Sequence, residues 1–145
     1  MKLQNIAVIF FLLAFPFFMQ AQNQPIRTGS PQDQLAVQRG EIESLKTHLY
    51  RFNLALEENE LPSIDVLKTV LLDAMRQEIS QVENMQKKQP LSARKTRLER
   101  QQKLAKSLSE TTFSGDEKSL EKAALFNEFV LLMEQEYADL EAALK

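Results

Sequence analysis

Apolar residues recur along the chain at intervals of three and four, in four long runs divided by proline and glycine, which is the period of helices rather than strands. The last run, roughly 114–145, is the richest. Phe126, Phe129/Val130, Met133, Tyr137, Leu140 and Leu144 make one stripe, and Leu125, Leu131 and Leu132 fall outside it. A helix apolar over more than half its circumference is buried on several sides, so this one is expected to form the core that the others cover. Pro31 to Glu60 carries Leu35, Ile42, Leu45, Leu49, Phe52 and Leu56 in heptad register, with Gln38 in the one seam position that lacks an apolar residue. Ser63 to Lys87 lines up Ile64, Leu67, Leu71, Met75, Ile79, Val82 and Met85, widened by Val66, Val70 and Leu72. Ser92 to Thr111 has only a thin stripe, Leu98, Leu104, Ala105 and Leu108 with Leu91 ahead of it, which predicts one narrow contact face.

The punctuation fits these runs. Pro31, Pro62 and Pro90 stand at or just before helix starts, where a missing N–H costs nothing, and Gly115 opens the fourth. Ser30 with Asp33, and Ser114 with Glu117, have the spacing of capping boxes. Gly40 lies opposite the first seam and should weaken that helix by about 1 kcal/mol relative to alanine. Short connections force neighbouring helices to lie antiparallel. The expected fold is therefore all-α, an up-down-up-down four-helix bundle roughly 30–45 Å long. The alternative treats Pro62 as a kink inside one continuous helix, giving a long kinked helical hairpin that dimerises.

Ahead of the bundle, Lys2 precedes a charge-free run from Ile6 to Met19, interrupted by Pro16. It falls short of the about 20 apolar residues that span a bilayer and has the layout of a secretory signal. Residues 1–21 are expected to be a signal peptide cleaved near Ala21, 22–30 an unstructured leader, and 31–145 a single domain. The protein is then exported, to a periplasmic or extracellular location, with no transmembrane segment in the mature chain. The absence of cysteine excludes disulfides and a lipid-modified cysteine. Once the five phenylalanines of the signal are gone, Phe52, Phe113, Phe126 and Phe129, with Tyr50 and Tyr137, remain as the large core aromatics.

The chemistry on offer is narrow. His48 is the only histidine, so a di-iron bundle or a helical zinc site cannot be assembled from one chain, and no metal or cofactor is expected. His48 reads as a residue at the boundary of the first seam. No Gly-x-Ser-x-Gly elbow occurs, and Gly29, Gly40 and Gly115 are too isolated to cradle a phosphate. The carboxylates fall on polar helix faces. Glu134, next to Met133, is expected to meet a basic residue of the third helix.

Charge is uneven although the net is only −2. The segment 87–106 holds Lys87, Lys88, Arg94, Lys95, Arg97, Arg100, Lys103 and Lys106 against Glu99, and the last helix is strongly acidic. Such helices pair as neighbours, or else the basic one presents Arg94, Lys95, Arg97, Arg100 and Lys103 to an anionic envelope surface. Nucleic acid is not expected, because the segment contains no aromatics to stack on bases. The function expected is a non-enzymatic interaction, scaffold or chaperone-like binding module, using Leu125, Leu131 and Leu132 toward a protein partner or a second copy. The alternatives are a carrier of an apolar ligand lined by Phe126, Phe129, Met133, Met75 and Met85, and a self-assembling coiled-coil protein.

Overall fold

The computed structural model describes residues 29–145, so the expected signal peptide and nearly all of the leader lie outside the described residues. Four helices and no strand occur among them: α1 (Pro31–Glu57), α2 (Leu61–Lys88), α3 (Ser92–Ser109) and α4 (Glu117–Ala143). Each packs on the next in sequence and α4 returns to α1. The result is an all-α, up-down-up-down four-helix bundle. At 27 residues, α1 is about 40 Å long.

The ends of the helices are set by local chemistry. Ser30 and Asp33 form the full capping box, each side chain accepting the other's backbone N–H at 3.2 Å. α1 stops in a Schellman motif: Glu60 N–H donates to Ala55 O and Asn59 N–H to Leu56 O, with Asn59 in the left-handed region at φ 52°. That reversal places Pro62 in the first turn of a new helix and removes the kinked-hairpin alternative. Asn59 also holds the far connection, because its Oδ1 accepts the Gly115 N–H at 3.2 Å. A Cβ on Gly115 would stand 2.9 Å from that oxygen and would push the Asn59 side chain aside. The expected Ser114–Glu117 box is not used. α4 starts later because the Asp116 carboxylate, a stronger acceptor than a hydroxyl, takes the Ser119 N–H at 2.7 Å, while Ser119 Oγ accepts from Ser114 N–H.

The core is apolar where α1 ends and α4 begins. Phe52, Phe113 and Phe126 meet there, the Phe52 ring edge-on to each of the others with centroids 5.1 and 5.3 Å apart. Phe113 comes from the α3–α4 connection and plugs that end of the bundle, with the Lys68 ammonium 5.7 Å from its ring centroid. Ile64, Leu71, Met75, Phe129, Val130 and Met133 continue the core along the axis. The aromatics do not all go inside. Tyr50 is 70% exposed, because it projects off the Leu49–Phe52 seam, and Tyr137 is half-buried with its hydroxyl accepting from Arg39. Phe129 has no exposed surface. Phe129→Ala is expected to cost about 3–5 kcal/mol, a large part of a marginal domain's stability, as measured by urea unfolding followed by circular dichroism.

Candidate functional site

Toward the α2–α3 end the seams keep their spacing and change their chemistry. Gln38 precedes Ile42 by one turn, Glu78 follows Met75, Gln101 precedes Leu104 and Glu136 follows Met133; with Gln81 and Arg94, all are buried. Every helix therefore contributes polar groups to one half of the core. Arg94 and Glu136 are 2% and 1% exposed. The Arg94 Nε–H donates to Glu136 Oε1 at 2.7 Å, and its Nη1–H donates to the Gln89 carbonyl at 2.7 Å. Arg97 reaches the other Glu136 oxygen at 2.5 Å and Asp139 at 2.8 Å. One guanidinium thus ties α3 to α4 and closes the α2–α3 turn. The Arg94–Glu136 bond is short and charge-assisted between two side chains that are each 2% exposed, where stranding one charge costs about 3–5 kcal/mol. Gln38 is entirely buried, and its amide oxygen and nitrogen have no hydrogen-bond partner among the described residues.

Above these groups lies an open cleft of about 240 Å³, with Gln34, Gln81, Asn84, Lys88, Gln89 and Arg94 on its walls. No carboxylate lines it. A core histidine is not part of it: His48 lies further along α1, half-buried.

The residues expected to act are dispersed. Arg94 and Arg97 belong to the buried network, and Arg100 makes a two-pronged contact to Glu128 at 2.6 and 2.8 Å, holding that carboxyl below its usual range. Lys95 and Lys103 remain on the surface. The three arginines of the basic helix are thus matched by α4, and its three lysines, Lys95, Lys103 and Lys106, make no ion pair among the described residues. Glu134 finds its base on α1 instead of α3, Lys46 at 2.6 Å, because it lies on the α1-facing flank of α4. Leu132 stands between Glu128 and Glu136, one turn from each, in the row that faces α3; it and Leu125 are half-buried against the core. Leu131 alone of the three faces solvent, 56% exposed. Phe126, Phe129, Met133 and Met75 are packed together in the core, whereas Met85 stands apart on the cleft wall.

A surface feature the apolar count passed over runs along the outside of α4. Leu120, Ala124, Asn127, Leu131, Gln135, Ala138 and Ala142 follow one another at intervals of three and four, all exposed and none charged. Neutral residues of mixed polarity do not register as an apolar stripe, which is why sequence reasoning singled out the leucines and not the row. On α1, across the Lys46–Glu134 pair that edges this row, Tyr50 and Leu54 are also exposed.

Among the described residues no group of three or more His, Cys, Asp or Glu side chains could hold a metal, and no helix is long and apolar enough to cross a membrane. No protein-family profile, curated protein or solved structure matches the chain. Burial, with Arg51 adding to it, pushes the His48 imidazole below its ordinary pKa. The folded state thus prefers neutral His48, and the unfolded chain takes up more protons as pH falls through about 6.5. Stability held in full above that pH should decline below it until the folded-state pKa is passed. Urea midpoints are expected to drop between about pH 7.5 and about pH 5.5, a range above most carboxylate titration, and to drop less in His48→Gln.

Proposed function

We propose that the protein is an exported, non-enzymatic binding module that docks a helix of a partner protein along the outside of α4, centred on Leu131. The observation that supports this reading is the neutral row from Leu120 to Ala142. Solvation alone favours charge at exposed helix positions, and 26% of this chain is charged. A row without charge along a whole exposed helix face, edged by charge on both sides, has the layout of a coiled-coil contact surface. Leu131 and Leu120 supply its apolar anchors, at 56 and 46% exposure.

The edges indicate the chemistry of the partner. Glu117, Glu121 and Glu141 flank the row and make no ion pair among the described residues. A second α4 laid on the first would bring acid against acid, whereas an amphipathic helix edged with lysine or arginine would find complementary charge. The role outside the cytoplasm rests on the signal-like first 21 residues. The engagement of Glu128, Glu134, Glu136 and Asp139 by basic side chains supports a non-catalytic reading, since none stands poised over a cleft as an acid–base pair.

Leu131→Glu is the direct test. The variant is expected to stay helical and monomeric by circular dichroism and light scattering, and to lose the protein that wild-type bait retains from an envelope extract. A folded variant that retains the same protein equally well would overturn the reading. A wild-type dimer that the substitution dissolves would overturn it in favour of self-association.

A further inference from the structure

The cleft at the α2–α3 end is built differently from the neutral face, and its chemistry points to a second kind of ligand. Its floor holds Arg94, a cation only 2% exposed and fixed in orientation by Glu136 and the Gln89 carbonyl. Those bonds use two of the five N–H groups of a guanidinium, and the remaining donors belong to a side chain that lines the cleft. A planar donor edge held still and shielded from bulk water is what carboxylate recognition requires. Met85 and Leu140 add apolar surface to the wall, and the amides of Asn84, Gln89 and Gln34, the last with its Nε2–H already donating to Gly29 O at 3.1 Å, supply further polar groups. One turn deeper on α1 than Gln34, the buried Gln38 amide has no partner among the described residues. Buried amides are ordinarily satisfied.

Charge balance sets the valence of the ligand. Arg94 and Arg97 are matched by Glu136 and Asp139, and Lys88 at the rim makes no ion pair among the described residues. On the cleft wall itself, Lys88 is thus the charged residue without an ion pair among the described residues. The cavity, about 240 Å³, falls below the about 300–1,000 Å³ usual for drug-sized ligands.

We infer that this cleft binds a small monocarboxylic acid with a polar body, of about amino-acid size. Its carboxylate lies against the Arg94 guanidinium beside Lys88, and the amides of Gln34, Asn84 and Gln89 hydrogen-bond the remainder. The cleft opens at the end of the bundle and uses none of the neutral row on α4, so this site stands or falls independently of the partner-binding face.

N-acetylglycine is the probe, and its neutral counterpart N-acetylglycinamide the control, titrated into the mature protein and followed by ¹H–¹⁵N spectra. Saturable shifts are expected for the side-chain amides of Gln34, Asn84 and Gln89 and for the Arg94 Nε–H, with the acid but not with the amide. Lys88→Gln, an exposed change that leaves the fold intact, should weaken binding about tenfold through loss of one charge-assisted contact. Asn84→Asp should abolish it by repelling the carboxylate. Absence of saturable shifts at these residues would overturn the inference. So would equal binding of the neutral amide, or an affinity unchanged in Lys88→Gln.

Discussion

The buried pair between Arg94 and Glu136 is the contact on which the arrangement of the bundle turns. α3 brings little apolar surface of its own: two of its four buried residues are Arg94 and Gln101. Hydrophobic burial, which is non-directional, would hold so polar a helix loosely and in several rotations. The guanidinium fixes one rotation, because its Nε–H must meet a carboxylate on α4 while Nη1–H meets the carbonyl that ends α2. Ion pairs at 2% exposure add little net stability, since desolvation offsets most of the attraction, but a misplaced α3 would leave both charges unpaired. The cost of the wrong arrangement, more than the gain of the right one, specifies the position of this helix.

The two ends of the molecule thus do different things. The aromatic end, with Phe52, Phe113 and Phe126 in contact, supplies dispersion and burial. The polar end gives up some of that stabilisation for groups of defined direction, and the cleft lined by Arg94 lies there. The neutral outer row of α4 is a third region, separate from both.

Much of this was readable from spacing. The heptad seam of α1 pointed to a buried position at Gln38 before any coordinates, and Gln38 is fully buried. The proline positions located three helix starts, and the opposite charges of α3 and α4 foretold their pairing, now visible as Arg94–Glu136 and Arg100–Glu128. What failed was the habit of reading a polar side chain as a surface residue. Arg94, Gln101 and Glu136 continue the seams at the correct interval, so the period was the better guide and the polarity misled. Leu125 and Leu132 were misplaced for the same reason in reverse, since charged neighbours in their row turned that flank toward α3. The Asn59 reversal had a signal too, an asparagine two residues past the last seam position, where a left-handed cap is favourable. Which helix would receive Glu134 depended on the rotation of α4, and rotation is a tertiary property.

A double-mutant cycle on Arg94 and Glu136 tests the central claim most directly. Arg94→Met and Glu136→Leu, singly and together, are measured by urea unfolding. If the pair fixes α3 by penalising unpaired charge, Glu136→Leu, which strands Arg94, destabilises by about 3–5 kcal/mol, Arg94→Met, which leaves Glu136 to Arg97, costs less, and the double variant, with Arg97 still held by Asp139, is more stable than Glu136→Leu alone. Losses that simply add, leaving the double variant the least stable of the set, would contradict the account and mean that the two side chains act independently.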